Sequence, residues 1–499
     1  MNTNSTFALE RIQTAFLNLH SEETQTNKYI HLYKAIKWCI QNQELPENWI
    51  IPSTRHLSDA LKLSRTTVIK AYELLQLEKL IAARAGSGYR VQPRELTSNL
   101  LNTYPPTNSA YPSLSEKGAA FFENISILNR QTNTGIAFKP GLPPIDIFPI
   151  NQWKNLLNSY WRYVKSSELS YEQGSGMEIL KSQLATYLHV SRNIKCQPEQ
   201  IVVVSGSLQS IYLLAGALIN KGDAVVLEDP TFPNVHSIFK SYLANLLAVG
   251  LDASGISMSG LEAAAVHSPK LVHLTPSDHY PLGTKMSLQR RLEVLQWATK
   301  NNAYIIENDY EHEIGNAEVN LPSIFSLDQE HRTIYLGTFN RLLYPSIRLG
   351  FMVLPPQLVQ VVEALLEHSH RFVSPSLQIV MGQFIEKNHL YRHLKNLAEV
   401  ARERQFLFEE SFLEGNKMIH IEKHPFNSLH LVAKFKGEVR PAEEKKFIQK
   451  LADHNISAYA LSKCYIQHPP TTGLILGYST VRPVVMREQV RQLLRLMHE

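Results

Sequence analysis

The chain has 499 residues, too many for one hydrophobic core and enough for two or three domains. With 44% hydrophobic and 19% charged residues it has the composition of an ordinary globular protein, and a net charge of +5 is too mild over this length to establish nucleic-acid binding by itself. Cys39, Cys196 and Cys464 are too far apart for metal-ligand spacing or a disulfide framework, which favours a reducing compartment. Met1 to His20 has no basic stretch followed by an apolar core, so no secretion signal is read there. No apolar run approaches the ~18 residues of a membrane-spanning helix, and a cytoplasmic location is expected.

From Tyr29 to Asn42, Leu32, Ile36, Cys39 and Ile40 recur at helical spacing and predict a helix with one buried stripe, stopped by Pro46. A second helix is predicted near Ser53, which can cap it, burying Leu57, Ala60 and Leu61. A third runs from about Ser64 to Leu77, with Val68, Ala71, Tyr72 and Leu75 on one face. The short Lys62-Leu63-Ser64 turn between them suits a helix-turn-helix. Leu80 to Val91 then reads as two strands about a Gly86-Ser87-Gly88 turn, because glycine accepts the positive φ of tight hairpins. Three helices and a hairpin describe a winged helix over residues 25–94. Between Trp49 and Arg94 the basic Arg55, Lys62, Arg65, Lys70, Lys79, Arg84, Arg90 and Arg94 outnumber Asp59, Glu73 and Glu78, a local excess that suits phosphate contacts.

Residues 95–135 are rich in Asn, Ser, Thr and Pro, notably at Tyr104 to Ser109, and read as a tether with local packing at Phe121 and Phe122. Beyond it, Ile201–Val204, Ala224–Leu227, Leu271–Leu274, Ala303–Ile306, Thr333–Leu336 and Phe351–Leu354 are apolar or β-branched runs alternating with helical patterns. That is the signature of a mainly parallel sheet covered on both faces, expected over residues 136–370. Long helices and the strand-like Leu429–Ala433 and Leu474–Gly477 follow, predicting a small α+β subdomain over 371–499. The first of the large domain's strands leads into Ser205-Gly206-Ser207, where a helix N-terminus with an adjacent glycine can hold a phosphate; strand-to-helix turns of this composition are also common as plain structure.

The stretches Ile51 to Leu57, Leu63 to Val68, Ala71 to Leu75 and Gly86-Ser87-Gly88 resemble the GntR-type winged helix. The resemblance implies DNA contacts from Arg55, Arg65, Thr66, Thr67 and Lys70, with the wing at Gly88 near the minor groove. Ala137 to Pro143, Asp146 to Pro149, Tyr171 to Gly176, Glu228 to Pro233, Thr275 to Ser277, Tyr280 to Gly283 and Glu307 to Tyr310 resemble, in order, motifs of the MocR/GabR-type regulators. Those fuse a GntR-type winged helix to a fold-type I aminotransferase-like domain. The implied architecture is multidomain: a winged helix-turn-helix, then an α/β aminotransferase-like domain with a small α+β C-terminal subdomain. The implied function is DNA-binding transcription regulation by a homodimer on double-stranded DNA.

The family's pyridoxal phosphate lysine falls, by this resemblance, at Arg341. A guanidinium with a pKa above ~12 offers no free amine for a Schiff base, so covalent cofactor binding at that residue is excluded. Asn308 replaces the aspartate that pairs with the pyridine nitrogen, and Asp309 beside it should face the other side of its strand. Asn340 stands for the serine before the lysine, Asp278 and His279 for a His-Gln pair, and Phe232 for the ring-stacking tyrosine. Ser205, Gly206, Ser207, Tyr310 and Arg348 match retained cofactor contacts, and Lys463 aligns with an arginine for a substrate carboxylate. Two readings of Arg341 stand open. It joins Arg348 in a cationic pocket for a non-covalent small anionic effector, pyridoxal 5′-phosphate among the candidates, or it pairs with a carboxylate such as Asp278 in a pocket that has lost its ligand. The expectation is a catalytically degenerate domain and no enzyme. The alternative is an active pyridoxal-phosphate aminotransferase with an accessory DNA-binding domain, which would need another lysine.

Overall fold

The computed structural model describes residues 3–18, 27–84, 88–93, 112–128, 137–170, 174–314, 321–413, 418–421, 426 and 428–498. The chain divides into two compact units, Met1–Pro112 and Ser113–Glu499. The expected wing tip at Gly86 and Ser87, Arg94, the Tyr104 to Ser109 stretch and the Tyr171 to Gln173 motif lie outside the described residues.

In the first unit the three expected helices are Lys28–Gln41, Thr54–Leu61 and Arg65–Leu77. Ser53 and Ser64 cap the second and third, their side chains accepting from the backbone N–H of His56 and Thr67. The wing strands β2 (Ile81–Arg84) and β3 (Gly88–Val91) pair antiparallel, and β1 (Ile50–Ile51) adds to β3 as a third strand. Leu32, Ile36, Leu57, Val68 and Leu75 are fully buried together, each contributing roughly 1.5–3 kcal/mol. An additional helix, Thr3–Asn18, packs Ala8, Ile12 and Ala15 into the same core. Its stripe is made largely of alanine, too weakly apolar to stand out in a sequence pattern.

The second unit is built on an eight-stranded sheet in the order β4-β11-β10-β9-β8-β5-β6-β7. These strands are β4 (Ile201–Val204), β5 (Ala224–Asp229), β6 (Asn245–Asp252), β7 (Gly255–Ile256), β8 (Leu271–Leu274), β9 (Tyr304–Asn308), β10 (Thr333–Thr338) and β11 (Gly350–Val353). The six predicted runs all form strands. β6 and β7 went unread because Asn245 to Asp252 is only partly buried and mixes polar with apolar residues. The centre from β6 through β10 is parallel, while β4, β11 and β7 pair antiparallel. Buried clusters cover both faces, which explains why the inner strands read as continuous apolar runs.

A four-stranded sheet in the order β12-β13-β15-β14 forms the small subdomain, from β12 (Ile419–Ile421), β13 (Leu431–Phe435), β14 (Tyr459–Ala460) and β15 (Gly473–Leu476). Part of the expected tether is ordered structure instead. Glu116–Glu123 is a helix capped by Ser115, and Phe121 packs against Tyr212 and Tyr242. Asn124 follows it, donating to Ser241 Oγ at 3.2 Å and accepting from Ser237 Oγ at 3.1 Å through its carbonyl. The partly buried Phe121 ring and the Asn124 hydrogen bonds help dock a stretch whose composition reads as linker.

Candidate functional site

On the first unit, Arg55, Arg65, Thr66 and Lys70 are exposed, and Gly88 sits at φ +79° beside the wing turn. Thr67 is partly committed, its hydroxyl 2.7 Å from the capping Ser64 Oγ. Lys70 lies 5.6 Å from the centre of the Tyr29 ring, within cation–π range. The helix that begins at Arg65 thus presents Arg65 and Thr66 of its first turn to solvent.

In the second unit the C-terminal ends of β4, β8, β9 and β10 converge on a cavity of about 200 Å³, the usual ligand position in open α/β sheets. Its lining includes Gly206, Ser207, Phe232, Asn308, Tyr310, Arg341 and Arg348 from the expected set, together with Gly141, Tyr280 and Asn340. No lysine lines it among the described residues.

Gly206 adopts φ +135° between β4 and the helix Ser207–Leu218, and a Cβ there would lie 2.4 Å from Asn340 Nδ2. Asn340 explains the fit: its Nδ2 donates to Ser205 O at 3.0 Å and its Oδ1 accepts from Leu349 N at 3.0 Å. The amide therefore bolts the β4 turn to the loop after β10. Arg348, exposed and at φ +48°, donates to Ser205 Oγ at 3.3 Å.

Arg341 is where the sequence and the structure part on a partner. Its Nη1 donates to Glu311, not to Asp278. The guanidinium lies over the Tyr310 ring at 4.7 Å and the Tyr280 ring at 5.8 Å, and packs against Gly141, where a Cβ would be 2.5 Å from Nη2. Glu311 is fully buried and also accepts from Ser428 Oγ and Leu429 N, both at 3.2 Å. Glu311 escaped the sequence reading; its only signal is a carboxylate directly after Tyr310 in a segment that must offset a buried cation.

Asp278 is buried but absent from the cavity lining, and neither carboxylate oxygen has a hydrogen-bond partner. Burial, reinforced by the nearby Glu311 charge, pushes its carboxyl well above the ordinary carboxylate range. Its carbonyl accepts from Tyr310 Oη at 2.9 Å, so that hydroxyl is already engaged. Lys463 is also not at the cavity; it is half-buried in a turn near Glu444, Lys445 and Cys464. Leu461 and Cys464 of this turn pack into a buried cluster with Tyr280 and Tyr310.

Asn308, at the end of β9, is 6% exposed; its Nδ2 lies 3.3 Å from His273 Nε2 and its Oδ1 has no partner. Burial brings His273 down to about 4, so the pair is neutral near pH 7. Asp309 points the other way, as strand alternation requires: it pairs with Arg192 at 2.7 Å and accepts from Tyr335 Oη at 3.0 Å. Burial opposes its charge, yet Arg192 and then His312 hold its carboxyl at about 2. It belongs to the core and cannot reach the cavity. His279 likewise packs inward, its Nε2 3.0 Å from Pro230 O.

The profile of bacterial regulatory proteins of the gntR family matches residues 28–91, and that of aminotransferase class I and II matches residues 148–475. The chain is 31% identical over 475 residues to the probable rhizopine catabolism regulatory protein MocR of Rhizobium meliloti, spanning 93% of this chain and 92% of that protein. The chain belongs to the MocR-type family. It is also 28% identical over 483 residues to the uncharacterized HTH-type transcriptional regulator YhdI of Bacillus subtilis, spanning 96% of this chain and 97% of that one. The alpha-aminoadipate aminotransferase LysN of Thermus thermophilus shares the fold at a TM-score of 0.69 and 21% identity, over 77% of this chain and 98% of its own. Among these MocR-type sequence relatives and aminotransferase folds, the fusion of a gntR helix-turn-helix to a class I and II aminotransferase domain is established, and among the described residues no helix is long and apolar enough to cross a membrane.

A pyridoxal phosphate group fits this cavity only in part. Ser207, the Gly206 turn and Arg348 offer a hydroxyl, backbone N–H groups and a cation for a phosphate, whereas the expected Ser205 is not in the lining and its hydroxyl accepts from Arg348. At the other end Arg341 cannot form the covalent link, and Asn308 supplies no negative charge for a ring nitrogen. The residues support anion binding and not the covalent chemistry.

Proposed function

We propose that this chain is a DNA-binding transcription regulator, acting as a cytoplasmic homodimer, whose aminotransferase-type domain senses a small anionic ligand without covalent capture and does not transaminate. The observation that carries this is Arg341: it lines the cavity, pairs with Glu311 and has no lysine beside it among the described lining residues. Transamination needs an amine that can leave and return to the cofactor, and a guanidinium cannot do either. The names of the relatives, MocR and YhdI among them, point to regulation, and the exposed Arg55, Arg65, Thr66 and Lys70 suit contacts to phosphates and base edges.

The family's cofactor, when bound covalently in an enzyme, supplies an electron sink for the substrate's α-carbon. In this chain Ser207, the Gly206 turn and Arg348 would hold an anion, Asn308 would orient its far end, and Arg341 would remain on Glu311. Paired winged helices in a homodimer would read two half-sites. Electrophoretic shift with the DNA upstream of the protein's own gene tests the regulator reading. Full-length protein is expected to prefer that fragment over bulk DNA, and Arg65→Ala to weaken the specific complex about tenfold or more. Unaltered binding by the variant would overturn the recognition-helix assignment, and no preference over bulk DNA would overturn the regulator reading.

A further inference from the structure

The cavity has two ends of different electrical character, and the difference restricts what can occupy it. At the turn after β4, Arg348 is exposed and its recorded contact is the Ser205 hydroxyl at 3.3 Å. No carboxylate among the described residues pairs with it. That end holds one uncompensated positive charge beside two serine hydroxyls.

At the inner end every charge is cancelled or absent. Arg341 is neutralised by Glu311. Asn308 and His273 form an uncharged pair, since burial disfavours the imidazolium. Asp278 lies close by, and its burial favours the protonated, neutral carboxyl. A charged group brought here would shed its hydration and meet no counter-charge, an unfavourable exchange in a low-dielectric site.

The inner end nevertheless lacks hydrogen-bond partners. Asn308 Oδ1 and Tyr280 Oη are on cavity-lining residues only 6% and 3% exposed, and neither has a partner. Buried polar groups left unpaired are unusual and are explained by a missing ligand or water. Turning the Asn308 amide over would present its Nδ2 instead of its Oδ1, and the requirement would still be for a neutral polar group.

Resting on the reading of the cavity as an anion-binding pocket, we infer that its ligand class is a phosphomonoester with an uncharged, hydrogen-bonding body, and that Asn308 is the residue selecting neutrality. Ser207, the Gly206 turn and Arg348 would take the phosphate, and the body would lie along Tyr310 toward Asn308. Amino acids and amine-bearing phosphates would be rejected, because each brings an ammonium to the neutral end.

Isothermal titration of the full chain with four probes tests this: inorganic phosphate, benzyl phosphate, hydroxybenzyl phosphate and aminomethylbenzyl phosphate. Hydroxybenzyl phosphate is expected to bind about tenfold or more tightly than both inorganic phosphate and the amine, with benzyl phosphate between. Asn308→Asp should reverse the order of the hydroxyl and amine probes, and Asn308→Ala, which keeps the site uncharged, should erase the advantage of hydroxyl over plain benzyl. Equal affinity for inorganic phosphate and the benzyl probes would overturn the inference while leaving the anion pocket in place. Tightest binding of the amine would also overturn it. Binding of no probe would overturn both the inference and the pocket reading on which it rests.

Discussion

Arg341 and Glu311 form an ion pair that ties the loop after β10 to the segment after β9. Glu311 also accepts from Ser428 and Leu429, which lead into β13, so the pair reaches the small subdomain as well. We propose that Arg341 stands at the position of the aminotransferases' cofactor lysine; its permanently charged side chain is anchored there by a buried carboxylate. Arg341 has therefore become part of the framework.

Glu311→Gln keeps the shape of the partner but leaves the guanidinium without an anion in a largely buried site. The expected loss of stability is about 2–3 kcal/mol by urea unfolding, the scale for hydrogen bonds to charged groups. Glu311→Gln combined with Arg341→Met should recover much of that loss, because no unpaired charge remains. A single variant as stable as the parent would show that the pair holds nothing together.

The Gly206 turn makes a second demand. Its φ of +135° is poorly suited to a side chain, and a Cβ would meet Asn340 Nδ2 at 2.4 Å. Gly206→Ala is expected to lower stability by about 1–3 kcal/mol and to weaken phosphate binding, measured by thermal unfolding and calorimetry. Adding Asn340→Ser relieves the clash but not the backbone strain, so the double variant should recover only in part. Full recovery would locate the whole cost in the clash.

Glu228 provides a pH signature. Its Oε2 accepts from Thr275 N and Thr275 Oγ1, both at 2.9 Å, and burial raises its carboxyl from 4.5 to about 7. The folded state thus holds a proton that the unfolded chain releases between those values. The contribution is fully present below about 4.5 and is lost as pH rises through about 7. Buried histidines such as His279, brought down to about 3, change stability in the opposite sense, so the test is a difference. The stability of Glu228→Gln minus that of the parent should rise with pH across this window, by up to about 1.4 kcal/mol per pH unit. A flat difference would mean that Glu228 stays ionised in the folded protein.

The winged helix was legible because its signals are local: Ser53 and Ser64 at helix starts, the Val68, Ala71, Tyr72 and Leu75 stripe, and glycine in the wing turn. The strands β4, β5 and β8 to β11 were legible because burial on both faces leaves apolar runs. The cavity-lining Gly206, Ser207, Asn308, Tyr310, Arg341 and Arg348 came from the family resemblance and not from any pattern in the residues alone. The pairing of side chains did not. Arg341 selects between Glu311 and Asp278 by the path of the chain after β9, and Asn340 fits over Gly206 across 134 positions of sequence, distances that no local pattern encodes. Lys463 lies outside the cavity lining, in a turn whose Leu461 and Cys464 pack with Tyr280 and Tyr310.

We propose that this family member holds its ligand without a covalent link. Intact-mass spectrometry of the full chain after incubation with pyridoxal phosphate and borohydride, run beside Arg341→Lys, measures it directly. The parent is expected to keep its unmodified mass, and the lysine variant to gain one reduced cofactor adduct mapping to position 341. A single stoichiometric adduct on a pocket lysine of the parent protein would contradict the account.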